Sequence, residues 1–327
     1  MLSSVLLLSS SVVSLTSSFC KKLGTIVLFL FFTNYSFAQD STSLSKTYRN
    51  RQWFIGAANV AGYGGSLLVL NNTWYRNSAR TSFHTFNDSK EWLQVDKFGH
   101  AWTAYNTGRA STSMWEWAGV PHKKAVWIGG LSGAAYLTAI EFLDGHSAKW
   151  GWSWSDIGAN ILGSGLNMGQ EFLWNEQRIQ YKFSFHKNNY SDPQLETRAD
   201  ALFGKSWYER MLKDYNAQTY WFSANLHSFF KNSSLPPWLN IAVGYGANGM
   251  FGGFANEWKD ENTNSITRYD IPRERQFYIS PDIDFTKIKT NSKFLRTTFS
   301  FLNAFKCPAP ALMLNNKGKL KAYFLYF

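Results

Sequence analysis

The pattern of apolar residues changes near Arg178, and this change limits the possible folds of the 327-residue chain more than any other feature. Before Arg178, apolar residues occur in long runs without alternation, as in residues 125–143, and such runs are typical of helices. After Arg178, apolar and polar residues alternate, as in residues 181–186, which is typical of strands with one buried face. We therefore predict an α+β protein with an N-terminal four-helix bundle followed by a β-rich antiparallel half.

The helical half is predicted to occupy residues 51–178. Its four helices are expected at residues 51–76, 91–114, 122–144 and 153–176. Glycine weakens a helix by about 1 kcal/mol relative to alanine, so several glycines in one helix need a compensating gain. Gly129/Gly133 and Gly165/Gly169 have the spacing that lets helix backbones approach closely. We expect both pairs to lie at helix–helix contacts.

The β-rich half is predicted to occupy residues 179–327. Alternating segments are found at residues 181–186, 220–230, 239–251, 276–285 and 320–327. Helices are expected at residues 200–215 and 292–305, and the second of these is expected to face the core rather than a membrane interface. The chain ends on Phe327, as the closing strands of outer-membrane barrels do, but a barrel needs about eight strands and fewer are predicted here. An integral barrel is therefore the less favoured alternative.

The first residues have the pattern of a secretory signal peptide. Two lysines precede the apolar residues 23–32, and a small-residue motif ends at Ala38. We predict a leader over residues 1–38, cleavage after Ala38, and export to the periplasm or the outer membrane. The residues before Cys20 do not form a lipobox, so lipidation is not expected. The mature chain would then keep one thiol, Cys307, and no internal disulfide.

Charge and aromatic content indicate what the protein contacts. The formal net charge is +11, and 18% of the residues are aromatic, with 15 Trp and 16 Tyr. Trp and Tyr suit membrane interfaces, where one side of the ring is apolar and the other is wet. A positive excess favours anionic surfaces. We expect a membrane or an anionic lipid or glycan surface as partner and no nucleic acid, because no helix carries a basic recognition motif. Protein partners are not identified.

Two short polar strings interrupt the apolar sequence of the helical half, and they define the candidate site. In a helix, Asp96 and His100 share one face because they are four residues apart. The polar residues of the second string, 153–163, recur at helical spacing and would form a stripe on the last helix. Packing of the helices would bring both strings and Glu141 together. The candidate residues are Asp96, Lys97, His100, Glu141, Ser153, Asp156, Asn160 and Gly163.

Two interpretations of this cluster are open. In the catalytic interpretation, His100 is a general acid or base, and Asp96 or Glu141 orients it and shifts its pKa. Lys97 would hold an anionic group such as a phosphate. The candidate ligand-binding residues are Lys97, Ser153, Asp156 and Asn160, and Gly163 is assigned a structural role. In the structural interpretation, the buried polar side chains satisfy one another and fix the register of the helices.

No metal and no cofactor is expected, and a metal site formed by His100, Glu141 and Asp156 is the less favoured alternative. The cluster lacks a dedicated ligand motif such as His-Glu-x-x-His, and the chain has no glycine-rich phosphate loop or nucleotide fingerprint. His84 and Asp88, in the polar connector before the second helix, are expected to be solvated because nothing near them has ligand spacing.

The order of these motifs resembles that of the YfiM-like family of exported proteins. It is more distantly similar to the VanZ-like membrane proteins, with Asp-Lys-x-x-His at residues 96–100, Glu141, and Asp-x-x-x-Asn-x-x-Gly at residues 156–163. The resemblance covers about residues 90–175 and does not reach the β-rich half. It implies an envelope location and a helical bundle, but no established activity. Members of the YfiM-like family are described as lipoproteins, and this chain departs from them in lacking a lipobox.

These observations favour a cell-envelope protein of unknown molecular activity, in the periplasm or associated with the outer membrane. Whether it is an enzyme is left open. One alternative is an envelope enzyme that acts on a lipid or glycan headgroup, with His100 as general acid or base. Another is a transport or assembly factor of the envelope.

Overall fold

A computed structural model describes residues 46–71, 75, 78–260 and 263–327. The chain divides into two compact units, residues 1–49 and 50–327, and nearly all described residues belong to the second. The predicted leader, residues 1–38, lies outside the described residues. The second unit contains both helices and a large antiparallel sheet, so the mixed α and β composition is confirmed.

Each of the four predicted helical segments is a helix in the structure. The bounds are α1 (Lys46–Leu70), α2 (Val95–Trp117), α3 (His122–Asp144) and α4 (Trp154–Trp174), and a short 3-10 helix (Glu91–Gln94) leads into α2. Helices α2, α3 and α4 pack closely against one another. Helix α1 contacts α3 through a few side chains, such as the hydroxyls of Ser66 and Tyr136, which are 2.9 Å apart. The close-packed bundle therefore has three helices, and a four-helix bundle is not confirmed.

Glycines allow the three helices to approach closely. A Cβ atom at Gly129 would overlap Thr112 of α2, and one at Gly133 would lie 2.9 Å from a backbone oxygen of α2. The expectation of a close contact is therefore confirmed for this pair. It is wrong for Gly165 and Gly169, which have open space where a Cβ would be. In α4 the contact is made by Gly163 instead, where a Cβ would overlap the carbonyl group of Ala101.

Six antiparallel strands form the main sheet, in the order β1-β2-β3-β6-β7-β8. Their bounds are β1 (Ile179–Phe185), β2 (Gln218–Asn225), β3 (Leu239–Asn248), β6 (Glu274–Ile283), β7 (Ala309–Asn315) and β8 (Leu320–Tyr326). A separate hairpin is formed by β4 (Glu257–Lys259) and β5 (Ser265–Thr267). The remaining helices are α5 (Pro193–Phe203), α6 (Trp207–Lys213), α7 (Leu226–Phe229), a 3-10 helix (Phe285–Lys287) and α8 (Lys293–Leu302).

The main sheet is strongly curled. The side-chain oxygens of Thr219 in β2 and Tyr326 in β8 are 2.8 Å apart, although three strands separate β2 from β8 in the sheet. The concave face is buried and holds Trp221 and Tyr278. It also holds polar groups. Lys182 and Asp282 form an ion pair of 2.9 Å with both side chains 0% exposed.

Helix α2 joins the bundle to the sheet. Its aromatic side chains pack on β1, β2 and β3, and the rings of Phe98 and Tyr245 are stacked with centroids 4.5 Å apart. The Tyr181 hydroxyl donates a hydrogen bond of 2.9 Å to the carbonyl of Phe98. This contact fixes the N-terminal half of α2, which carries Asp96 and His100.

Several apolar surfaces are exposed. Helices α1 and α3 are long and apolar enough to cross a membrane by length and composition, with 17% and 39% of their most apolar windows buried. None of the residues of α8 is buried, and Phe294 and Phe301 are 77% and 68% exposed. The expectation that this helix faces the core is therefore wrong. Phe299 stacks on Phe285 of the second 3-10 helix, with ring centroids 6.2 Å apart, but Phe294 and Phe301 stay exposed.

Candidate functional site

The first turn of α4 organises the candidate site. Ser153 is the N-cap residue of α4, and its hydroxyl accepts a hydrogen bond of 3.0 Å from the backbone N–H of Asp156. The same hydroxyl donates a hydrogen bond of 2.6 Å to Asp88, and the Ser155 hydroxyl donates a second one of 2.6 Å. The backbone N–H of Ser153 donates to Glu141 at 3.3 Å. The start of α4 thus contacts both the C-terminal part of α3 and the connector before α2.

Lys97 occupies the centre of one half of the site. Its Nζ atom lies 2.6 Å from Asp88, 2.8 Å from Asp96 and 2.7 Å from Asp156. Burial would lower the pKa of Lys97, but the charges of Asp96 and Asp156 outweigh burial and raise it. The ammonium group is therefore charged and already surrounded by anions. This contact set leaves it poorly placed to hold an anionic ligand.

Asp88 belongs to the site, and the expectation that it is solvated is wrong. The residue is 7% exposed. Burial would raise its pKa, but hydrogen bonds from Lys97, Ser153 and Ser155 outweigh burial and lower the pKa to about 2. Sequence reasoning missed Asp88 and Ser155. Asp88 lies in a polar connector, and no spacing distinguishes it there from a surface residue.

His100 lies in the other half of the site. Its Nδ1 atom is 3.2 Å from Oδ1 of Asn160 and 3.8 Å from Oε1 of Glu141, and its Nε2 atom is 3.8 Å from Oδ1 of Asp156. An amide oxygen can only accept, so this contact requires a proton on Nδ1, and in the neutral imidazole the lone pair is then on Nε2. The imidazole side chain is 24% exposed, more than its acidic neighbours.

The acidic groups near His100 have raised pKa values. Burial, with the nearby charge of Asp156, raises the pKa of Glu141 to about 9. Burial also raises the pKa of Asp96, partly offset by Lys97, to about 6. The pKa of Asp156 is raised by burial as well. A single lysine therefore does not neutralise the acidic cluster, and the cluster favours an additional proton or cation.

Several buried polar atoms in the site lack a hydrogen-bond partner among the described residues. They include Oε1 of Glu141, Oδ1 of Asp96 and Nδ2 of Asn160. Glu141 and Asn160 are each 1% exposed. An unsatisfied buried polar atom costs about 1–3 kcal/mol, so such atoms indicate a water, ion or ligand at the site.

Exposed aromatic side chains are close in sequence to residues of the site. Trp154, which follows the N-cap Ser153, is 68% exposed, and its ring contacts that of Trp152 at 5.3 Å. Phe86, two residues before Asp88, is 43% exposed and contacts Phe254 at 6.1 Å. Exposed Trp is common at interfaces, because its ring is apolar and its N–H can reach a polar partner.

The structure brings all predicted side chains of the site together from three helices. Asp96, Lys97 and His100 come from α2, Glu141 from α3, and Ser153, Asp156 and Asn160 from the start of α4. Their catalytic and ligand-binding roles stay predictions.

Comparison with known proteins covers the same region. Residues 85–170 match the family described as "Predicted periplasmic lipoprotein (DUF2279)". No curated protein and no solved structure matches the chain. The matched residues include α2, α3, most of α4 and every residue of the candidate site. The similarity supports an exported protein of the cell envelope, and it carries no activity with it.

Proposed function

We propose that the protein associates with a membrane of the cell envelope and holds its buried polar site beside the headgroups. The observation that carries this proposal is the part of the convex face of the main sheet that α2 does not cover, which is apolar and exposed. Six outward-facing side chains on three neighbouring strands are between 37% and 53% exposed: Ile241, Val243, Phe277, Ile279, Leu312 and Leu314.

These six side chains form a continuous surface. Val243 pairs with Ile279, Ile279 pairs with Leu312, and Phe277 pairs with Leu314 in the strand register. The opposite face of the same strands is buried and contains polar groups. Apolar residues that point outward and polar residues that point inward are the pattern of strands in contact with lipid. An apolar surface of this kind on a protein in water marks an interaction site.

Helix α8 supports a bilayer as the partner. Lys293 and Arg296 lie on the helix that exposes Phe294 and Phe301. Basic side chains beside exposed aromatic ones are typical of helices that lie in a membrane interface. The formal net charge of +11 favours an anionic lipid or glycan surface, because opposite charges attract.

The proposal gives different roles to the two halves of the chain. The candidate site lies in the helical half, residues 51–178, and the exposed apolar face lies in the β-rich half, residues 179–327. The motif order that resembles the YfiM-like and VanZ-like families falls in the helical half and agrees with an envelope location.

A second candidate function is an envelope enzyme that acts on the headgroup of a lipid or glycan. One observation favours it. The contact between Asn160 and Nδ1 leaves Nε2 of His100 as a basic nitrogen in a buried acidic environment. His100 would then be the general acid or base, with Asp96 and Glu141 as positioning groups. Lys97 would stabilise the carboxylates rather than hold the substrate.

Vesicle flotation tests membrane association. The purified full-length protein is mixed with vesicles of phosphatidylethanolamine and phosphatidylglycerol and centrifuged in a density gradient. We expect the wild-type protein to float and the double variant Phe277→Ser/Leu314→Ser to stay largely at the bottom. Tyr269→Ser is the matched control, because Tyr269 is 86% exposed outside the main sheet.

Two results would contradict the proposal. One is a wild-type protein that does not bind vesicles. The other is a double variant that floats as well as the control. Light scattering on the same samples shows whether the chain forms a dimer. A dimer of the wild-type protein that is lost in the double variant would identify a second copy of the chain as the partner of this face, and it would be a third result against the proposal.

A further inference from the structure

We infer that His100, Glu141 and Asp156 form a binding site for a divalent cation such as Zn²⁺ or Mn²⁺. One potential ligand atom from each residue lies within 4.8 Å of the other two. The three residues come from three different helices, α2, α3 and α4. Glu141 is 1% exposed and Asp156 is 6% exposed, so both carboxylate ligands are buried, whereas the His100 side chain is 24% exposed.

The two halves of the acidic cluster differ in one respect. Asp88, Asp96 and Asp156 also form a set with metal-ligand spacing, but the ammonium group of Lys97 lies within 2.8 Å of all three. The carboxylates of that half are therefore already paired with the ammonium group of Lys97. The half around Glu141 has no such cation among the described residues, although burying an unpaired carboxylate is costly.

Glu141 gives a second, independent indication of a ligand. One of its oxygens, Oε2, accepts the backbone N–H of Ser153 at 3.3 Å, which fixes the carboxylate. The other oxygen, Oε1, is buried and has no hydrogen-bond partner among the described residues. This oxygen lies 3.8 Å from Nδ1 of His100. It is therefore held toward the imidazole with a lone pair that nothing in the described chain uses.

The donor set indicates the class of ion. One imidazole nitrogen and two carboxylate oxygens suit Zn²⁺ or Mn²⁺ better than Ca²⁺, which takes oxygen ligands. Ligands about 2.1 Å from a tetrahedral ion are about 3.4 Å from each other. Nε2 of His100, the nitrogen that is free to bind the ion, lies 3.8 Å from Asp156, whereas the 3.8 Å contact of Glu141 is with Nδ1. One potential ligand atom of each residue lies within 4.8 Å of the other two, so binding requires the ligand atoms to approach one another by up to about 1.4 Å. Three protein ligands leave a further position for water or substrate.

Asn160 would orient the ligating histidine without binding the ion itself. Its Oδ1 accepts from Nδ1 of His100 at 3.2 Å, which orients the ring and leaves Nε2 facing Asp156. Ligating histidines commonly have such a partner on the second ring nitrogen. We assign Asn160 as a positioning residue for the cation.

This inference goes beyond membrane association and favours the metal site that was the less favoured alternative in the sequence analysis. It also changes the role of His100 in the enzyme candidate. A histidine that ligates a cation through its basic nitrogen is not free to act as a general base. The metal titration therefore decides between these two roles, and it does so without an assay of activity.

The test is a titration of the full chain, without a histidine tag, after removal of bound metal by a chelator. Equilibrium dialysis against Zn²⁺ or Mn²⁺, followed by elemental analysis, gives the number of ions bound per chain. We expect one ion and, at a hundredfold excess over Kd, a rise in melting temperature of roughly 5–10 °C. His100→Gln and Glu141→Gln should each weaken binding at least tenfold.

His122→Gln is the matched control. His122 also lies between two carboxylates, with Nδ1 2.5 Å from Glu116 and Nε2 3.5 Å from Glu171. We expect this variant to bind the ion as the wild-type protein does. The inference is overturned if the wild-type protein binds no ion, or if His122→Gln rather than His100→Gln weakens binding. The wild-type titration tests the inference by itself, so the test remains valid if one of the variants does not fold. Vesicle flotation is independent of these results.

Discussion

Replacing Lys97 by Met removes the cation from a set of three buried carboxylates while keeping the length of the side chain. The side chains of Lys97, Asp88, Asp96 and Asp156 are 11%, 9%, 10% and 8% exposed, so water replaces little of the lost interaction. Removing one partner of a buried ion pair costs about 3–5 kcal/mol. We expect a loss of about 4 kcal/mol at pH 8, or roughly 6–20 °C in melting temperature, measured by circular dichroism.

The pH dependence separates this cause from a packing defect. Without Lys97, the already raised pKa values of Asp96 and Asp156 rise further, and the pKa of Asp88 rises from about 2 because it loses its contact with the ammonium group. The loss should therefore be largest above neutral pH and should shrink toward pH 4, where Asp88, Asp96 and Asp156 take up protons. A packing defect would be the same at both pH values.

Lys287→Met is the control. Lys287 contacts Glu176 at 3.0 Å, but the two side chains are 30% and 27% exposed. Such a pair contributes about 0.2–1 kcal/mol. If Lys97→Met costs no more than Lys287→Met, or if its cost does not depend on pH, the reasoning about the buried carboxylates is refuted.

Two further predictions concern packing and titration. Gly163→Ala should cost about 1–3 kcal/mol in unfolding free energy because its Cβ would overlap Ala101, whereas Gly165→Ala, in open space, should be neutral or add up to about 1 kcal/mol; equal effects would refute the assigned helix contact. The pKa of Glu141 is raised to about 9 in the folded protein, above its value of about 4.5 in the unfolded chain, so the folded state binds the proton more tightly. The contribution of Glu141 to the free energy of unfolding is therefore complete below about pH 4.5 and declines as pH rises to about 9. Glu141→Gln in metal-free protein should therefore raise the melting temperature more at pH 8 than at pH 4.5, and a gain independent of pH would contradict the raised pKa.

The helices could be located from the sequence because each combines a long apolar run with a local end signal. Helix α3 has the predicted bounds, His122–Asp144, because an apolar run follows Pro121 and ends before Gly145. The start of α4 was readable from Ser153 and Asp156, which form the N-cap contact. These signals depend on neighbouring residues and need no knowledge of the rest of the fold.

Features that depend on distant contacts were missed. Strand β7 was not predicted because Pro310 interrupts its pattern, and proline argues against an interior strand. Asp88 was assigned to solvent because its partners, Lys97 and Ser153, are distant in sequence or on another element. The sequence also could not show that Lys97 points into the site, because adjacent residues such as Asp96 and Lys97 do not normally face each other on a helix.

The stability of His100→Gln in metal-free protein tests most directly whether the cluster is a ligand site rather than a structural network. Among the described residues, His100 makes one side-chain hydrogen bond, of 3.2 Å to Asn160, and its side chain is 24% exposed. A glutamine amide can donate to the same oxygen. The account predicts an unfolding free energy within about 1 kcal/mol of the wild-type value, measured by denaturant titration. A loss of about 3 kcal/mol or more would show that the histidine holds the helices together, and would contradict the account.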